Sequence, residues 1–180
     1  MGRAFAIGVG LNTLFVAVEV AAGFWAGSLA LLADAGHNAS DVLALLLAWG
    51  ATILAKRAPT GRRTYGLRKG TILASLANAV FLLLAIGAIG TESVQRLSSP
   101  HPIATNTVML TAALGVAINT ATALLFMRGA KGDLNVRGAF LHMASDAVIS
   151  LAVVVGAGVI ALTGFQWIDP ALSLWIAAVI

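Results

Sequence analysis

Two short segments of the sequence repeat one pattern of polar residues. The first reads His-Asn-Ala-Ser-Asp over residues 37–41, and the second reads His-Met-Ala-Ser-Asp over residues 142–146. In an α-helix, residues i and i+4 lie on one face, about one turn apart. Each segment can therefore present one imidazole nitrogen and one carboxylate to the same point. Two His and two Asp form a donor set that suits a tetrahedral Zn²⁺ site.

The sequence around both segments is strongly apolar. Of the 180 residues, 59% are hydrophobic and 10% are charged, whereas a soluble domain is about a quarter charged. This composition excludes a water-soluble domain and predicts an integral membrane protein. The chain has no Cys, which excludes thiolate metal sites, iron–sulfur clusters and disulfides.

Weakly charged stretches predict a single transmembrane domain of the all-α class, a bundle of six transmembrane helices. Ten of the 11 Lys and Arg residues fall on one side of the membrane in this arrangement, and Arg96 falls on the other. The positive-inside rule then places both termini in the cytoplasm. We attribute the net charge of +4 to topology and to contact with anionic lipid, and we expect no nucleic-acid partner. The predicted spans are 4–26, 29–55, 68–91, 103–127, 135–162 and 167–180.

Both polar segments lie inside predicted spans, where an ionised side chain is costly. Insertion of a charge at the bilayer centre costs at least about 2.5–3.5 kcal/mol, so such residues mark ion or proton pathways. The second and fifth spans run antiparallel, so we expect His37, Asp41, His142 and Asp146 to converge near mid-membrane. With Zn²⁺ bound, two carboxylates and two neutral imidazoles sum to zero charge. Without metal, the paired carboxylates favour proton uptake, which predicts a metal/proton exchanger.

Other interpretations of the two His–Asp pairs remain open at this point. The residues could form hydrogen bonds between helices, or the two His could bind haem in the membrane anchor of a redox enzyme. A carrier of protons or sodium could use the same Asp residues without metal. We expect no enzymatic activity of the chain itself, and the intramembrane protease motifs H-E-x-x-H and G-x-S-x-G are absent.

Three further polar residues fall on the faces of predicted helices. Asp34 precedes Asp41 by seven residues, so it shares the ligand face two turns away. Asn12 and Glu19 are also seven residues apart and share a face of the first span. We predict a hydrogen-bonding or pathway role for these three residues. Asn78 and Asn119 are predicted to form hydrogen bonds between helices.

The chain resembles the cation diffusion facilitator family of zinc and other divalent-metal transporters. Segments 27–48 and 134–151 look like the signatures of that family's second and fifth helices, and each contains one H-x-x-x-D motif. The resemblance implies a homodimeric exporter of Zn²⁺, with Co²⁺ or Cd²⁺ as possible further substrates, driven by protons. The transport residues it implies are His37, Asp41, His142 and Asp146. It also implies a multi-pass protein of the cell inner membrane, or of an organelle in a eukaryote.

The sequence departs from the family pattern at its end. Members usually continue into a cytoplasmic domain that helps to hold the dimer, whereas this chain ends at Ile180. The last predicted span has room for only about 21 Å of helix, against about 30 Å of hydrocarbon. We therefore expect a truncated chain that lacks the cytoplasmic domain, and a weaker dimer.

Overall fold

The fold consists of α-helices throughout the part of the chain that can be described. The computed structural model describes residues 3–55, 68–127 and 134–180, and these form six helices and no strand. The all-α class predicted from composition is confirmed. Most of the basic residues predicted to connect the spans fall in 56–67 and 128–133, outside the described residues. The helices are α1 (Arg3–Ala26), α2 (Leu29–Ala55), α3 (Arg68–Ser98), α4 (Thr105–Met127), α5 (Leu134–Thr163) and α6 (Ile168–Val179).

Four of these helices contain segments long and apolar enough to cross a membrane. They are Val9–Ala26 in α1, Ser75–Ser98 in α3, Thr105–Met127 in α4 and Arg137–Thr163 in α5. Most residues of these segments are not buried inside the protein, and the buried share ranges from 6% in the segment of α3 to 39% in that of α5. A surface this apolar is suited to lipid, as in an integral membrane protein.

The end of α3 differs from the prediction. The helix continues to Ser98, seven residues past the predicted end of the third span at residue 91. Glu92 and Arg96 form an ion pair along this extension, with 2.8 Å between Arg96 Nε and Glu92 Oε1. An ion pair between residues i and i+4 stabilises a helix, so these two charged residues do not end it. The helix stops just before Pro100, which disfavours helical backbone at the preceding residue.

The α1–α2 turn marks the densely packed end of the bundle. Gly27 occupies this turn with φ 68°, a left-handed conformation that favours glycine. Apolar side chains from four helices meet beneath the turn and are almost completely buried. They are Leu31 of α2, Val108 of α4, Val153 of α5 and Ile176 of α6. This core closes one end of the bundle, and the polar residues of α2 and α5 begin where it ends.

Candidate metal centre

Four potential metal ligands converge between α2 and α5. His37, Asp41, His142 and Asp146 each offer one ligand atom, and the four atoms all lie within 4.8 Å of one another. The spacing within each motif places its His and Asp on one face of its helix. Because α2 and α5 are antiparallel, the two faces meet with each His beside the Asp of the other helix. The structure thus brings together the four residues that the sequence singled out.

Contacts between the helices are the shorter ones in this cluster. Nε2 of His37 lies 3.2 Å from Oδ1 of Asp146, and Nε2 of His142 lies 3.2 Å from Oδ2 of Asp41. Within each helix, the corresponding His–Asp distances are 3.6 Å and 3.7 Å. The rings of His37 and His142 lie edge to face, with centroids 5.9 Å apart and planes at 77°. The two nitrogens and two carboxylates therefore surround a common point.

Burial differs across the cluster. The side chain of Asp146 is 2% exposed and that of His37 is 16% exposed, whereas His142 is 42% exposed. Buried carboxylates require a partner of opposite charge or a hydrogen-bond donor, and the two imidazoles satisfy this requirement when they carry protons. A divalent cation at the centre would supply the same charge, since two Asp and one doubly charged ion sum to zero.

A cavity of about 490 Å³ leads to the cluster from one end of the bundle. His142, Asp41 and Asp146 form part of its wall. The cavity extends along α4 to Phe126, close to the end of that helix, and along α1 to Val9, in the first half of that helix. It therefore opens away from the packed core beneath the α1–α2 turn. An ion can reach the cluster from the end where α1 starts and α4 ends.

The three other predicted site residues lie around the cluster but are not members of it. Glu19 is completely buried, and its Oε2 accepts a hydrogen bond of 2.8 Å from Nδ2 of Asn38. Asp34 is also completely buried, and its Oδ2 accepts a hydrogen bond of 3.0 Å from Ser150. Asn12 lines the cavity. Glu19 and Asp34 thus bond to Asn38 and Ser150, which lie close to the four candidate ligands in sequence.

Two residues next to the cluster were not predicted from the sequence. Asn38 follows His37 directly and connects α2 to Glu19 of α1. Ser150 lies one turn after Asp146 and connects α5 to α2. Neither residue type has a spacing signal of its own. The occurrence of Ser150 on the same face as Asp146, at i+4, is the one sequence feature that could have indicated it.

The two predicted helix-bridging asparagines differ. Nδ2 of Asn78 on α3 donates a hydrogen bond of 3.2 Å to Oγ of Ser40 on α2, as predicted. Asn119 on α4 instead lines the cavity, and its buried Nδ2 has no hydrogen-bond partner among the described residues. The hydrogen bond between helices that was predicted for Asn119 is therefore not made by its Nδ2 atom.

Comparison with known proteins identifies the family. A family model described as the cation efflux transmembrane domain matches residues 5–180. The chain belongs to the cation efflux family. The resemblance to metal transporters drawn from the two H-x-x-x-D motifs is therefore confirmed. The family consists of transporters, so the expectation that the chain is not an enzyme is also confirmed.

Several curated bacterial relatives match nearly the whole chain. It is 38% identical over 175 residues to the zinc transporter ZitB of Yersinia pestis, covering 97% of this chain and 56% of the relative. It is 36% identical over 170 residues to a cadmium, cobalt and zinc/H(+)-K(+) antiporter of Bacillus velezensis, covering 93% and 54%. It is 36% identical over 174 residues to the metal cation efflux system protein CzcD of Cupriavidus metallidurans, covering 97% and 55%. The chain spans about half the length of these relatives.

Proposed function

We propose that this chain is the membrane-embedded unit of a Zn²⁺ exporter, with His37, Asp41, His142 and Asp146 as the transport site. The observation that carries the proposal is the convergence of two imidazoles and two carboxylates from two helices, with their ligand atoms within 4.8 Å of one another. This donor set matches the ligands and the coordination number that Zn²⁺ prefers. The loaded site is electrically neutral, which favours it in a medium of low dielectric constant.

Exchange with protons follows from the chemistry of the same four residues. A metal ion binds neutral imidazole and ionised carboxylate, so protons must leave the site before or as the metal enters. Each imidazole lies 3.2 Å from the carboxylate of the other helix, close enough to share a proton. Two protons on the imidazoles carry the same charge as one Zn²⁺. The site can therefore alternate between two loads of equal charge.

The direction of transport rests on the cavity and on the distribution of basic residues. The cavity opens toward the end of the bundle where α1 begins and α4 ends. The positive-inside rule assigns that end to the cytoplasm, because the spans predicted from the sequence place ten of the 11 Lys and Arg residues on that side. The arrangement is then open to cytoplasmic metal and closed on the opposite side, as the loading step of an exporter requires.

The preference for Zn²⁺, with Co²⁺ and Cd²⁺ as further substrates, is supported by the names of the relatives. Imidazole and carboxylate ligands alone do not exclude Ni²⁺ or Cu²⁺, which bind most nitrogen and oxygen sites more tightly. The relatives of Bacillus velezensis and Yersinia pestis are named for zinc, and the former also for cadmium and cobalt. We assign the same class of substrate to this chain.

The cellular setting of the proposal follows the family. We place the protein in the inner membrane as a multi-pass protein that functions as a homodimer, with the metal ion, protons and lipid as its partners. The four helices with membrane-length apolar segments support the lipid contact. Bacterial relatives with antiporter names support the metal and proton partners.

Calorimetric titration of the purified chain with ZnCl₂ in lipid nanodiscs tests the proposal. We expect saturable binding of one Zn²⁺ per chain, and its loss in Asp41→Asn. NaCl titrated into the same sample serves as the comparison. Heat from Na⁺ with none from Zn²⁺ would favour a sodium carrier instead. A strong visible absorption band in the purified protein would favour the haem interpretation.

A further inference from the structure

The geometry of the candidate metal centre depends on the distance between α2 and α5. Each helix supplies one His and one Asp, and the two shortest contacts, both of 3.2 Å, run between the helices. Yet the two helices make few contacts with each other. α2 packs mainly against α1 and α3, and α5 packs mainly against α4. The two helices share the buried core at the closed end of the bundle, but few direct contacts between them hold their spacing at the site.

One hydrogen bond joins α2 and α5 just beyond the site. Oγ of Ser150 donates to Oδ2 of Asp34 at 3.0 Å, and both side chains are completely buried. Asp34 lies three residues before His37, and Ser150 lies four residues after Asp146. At 1.5 Å per residue, these positions are about 4.5–6 Å along each helix from the nearest ligand. Because the helices are antiparallel, the pair lies on the side of the site away from the cavity.

The packing behind Ser150 holds its hydroxyl group in place. A Cβ atom added at Gly115 of α4 would lie 3.0 Å from Oγ of Ser150 and 3.0 Å from Cζ of Phe15. The backbone of α4 thus reaches the Ser150 side chain closely. The hydroxyl is confined between α4 on one side and Asp34 of α2 on the other. The lengths of the Asp34 and Ser150 side chains then determine the distance between α2 and α5.

A buried carboxyl group is an unfavourable way to stabilise a contact between two helices, because its burial removes it from water. The second oxygen of Asp34, Oδ1, is buried and has no hydrogen-bond partner among the described residues. An apolar residue would fill the same space without that desolvation cost. A metal site, by contrast, gains from a directional bond at a fixed length, because Zn²⁺ distances must match to within about 0.2 Å. This contrast favours a role in geometry over a role in stability.

We propose that Asp34 and Ser150 are positioning residues, whose hydrogen bond sets the spacing of α2 and α5 and thereby the geometry of the metal centre. The proposal rests on the proposed function, since it assigns to these residues an effect on a bound ion. It goes further by naming a pair that is not among the four ligands and that is joined by its own hydrogen bond. Groups that hydrogen-bond a metal ligand directly typically change affinity by about 10–100-fold when removed, so we expect an effect near the lower end of that range for a pair one turn further away.

Two serines on α5 provide a matched comparison. Ser145 and Ser150 are five residues apart on one helix. Ser145 is exposed and donates to the backbone oxygen of Leu141 in its own helix at 2.9 Å. Ser145→Ala and Ser150→Ala therefore make the same chemical change. They differ in whether the lost hydroxyl joins α5 to α2.

Co²⁺ binding to the full chain in nanodiscs tests the proposal, because tetrahedral Co²⁺ has visible absorption that reports ligand geometry. We expect Ser150→Ala to weaken Co²⁺ affinity about tenfold and to alter the absorption band. Ser145→Ala should stay within about twofold of wild type. Asp34→Ala should behave like Ser150→Ala, and the double variant should be no worse than either single variant. Asp34→Asn keeps an acceptor for the Ser150 hydroxyl, so it should stay within about threefold of wild type.

Several results would overturn the proposal. Unchanged Co²⁺ affinity and spectrum in folded Ser150→Ala or folded Asp34→Ala would exclude a positioning role. An equal loss of Co²⁺ affinity in Asp34→Asn and Asp34→Ala would show that the negative charge of Asp34, and not its hydrogen bond, determines the affinity. If the wild-type chain bound no Co²⁺ and no Zn²⁺, the proposed function itself would fail, and this inference with it. Wild-type binding with an unaffected Ser150→Ala would refute this inference alone.

Discussion

The carboxylate of Asp169 at the start of α6 caps the start of α2. Its Oδ1 lies 2.5 Å from the donating hydroxyl of Ser28, and its Oδ2 accepts a hydrogen bond of 2.7 Å from the backbone N–H of Leu29. The first N–H groups of a helix have no partner within the helix, and a carboxylate at that position also interacts favourably with the helix dipole. This contact holds the start of α6 against the start of α2, at the end of the bundle opposite the cavity.

Removal of this cap should destabilise the protein. Asp169→Ala leaves the buried Ser28 hydroxyl and the Leu29 N–H without their acceptor, which typically costs about 1–3 kcal/mol. We expect a lower unfolding temperature in detergent, followed by circular dichroism at a helix wavelength. Thr91→Ala is the control, because the Thr91 hydroxyl is exposed and bonds only within its own helix, to Gly87. Equal unfolding temperatures for the two variants would contradict the assigned role of Asp169.

Apparent affinity for Zn²⁺ should fall as the pH falls from 7.5 to 5.5. Imidazole must be neutral to bind metal, and an ordinary His takes up a proton near pH 6.5. As the pH falls, protons compete with the ion for the nitrogens of His37 and His142. Calorimetry in two buffers of different ionisation enthalpy measures both the affinity and the protons released. Constant affinity over this pH range, with no proton release, would contradict the exchange mechanism.

The assignment of the cavity to the cytoplasmic side can be tested by labelling. Ser99 follows the end of α3 and is exposed, and Met127 ends α4 at the opposite end of the bundle and is also exposed. The chain has no native Cys, so each single Cys variant reports one position. A membrane-impermeant maleimide applied to intact cells should label Ser99→Cys, whereas Met127→Cys should react only in inside-out vesicles. The reverse pattern would invert the topology and the direction of transport.

The helices and the four candidate ligands could be predicted from the sequence for physical reasons. An apolar stretch of membrane length has few alternatives to a helix, because each backbone group must find its partner locally. The i, i+4 spacing in each motif then determines that His and Asp share a face. The repeat of the motif in two antiparallel spans supplied the last step, since it indicated that the faces of α2 and α5 meet.

Contacts between the helices could not be predicted in the same way. Whether Asn119 faces a neighbouring helix or a cavity depends on the rotation of α4, which its nearly uniform apolar surface does not reveal. The pairing of Asp34 with Ser150 and of Glu19 with Asn38 joins residues far apart in sequence, through side chains without a characteristic spacing. Gly27 forms the α1–α2 turn, a role that follows from its left-handed backbone conformation and not from any spacing in the sequence.

Zn²⁺ uptake into inside-out vesicles by Asp146→Asn and Ser145→Ala tests the central claim most directly. Asp146→Asn preserves the shape of a nearly buried side chain but removes a charge needed for a neutral loaded site. Ser145 is adjacent in sequence but rotated about 100° around α5. With both variants folded, we predict that Asp146→Asn reduces the uptake rate by more than about 100-fold, beyond the typical effect of residues that only support ligands. Ser145→Ala should keep most of the wild-type rate. Uptake by folded Asp146→Asn at a rate near wild type would place the transport site elsewhere in the protein.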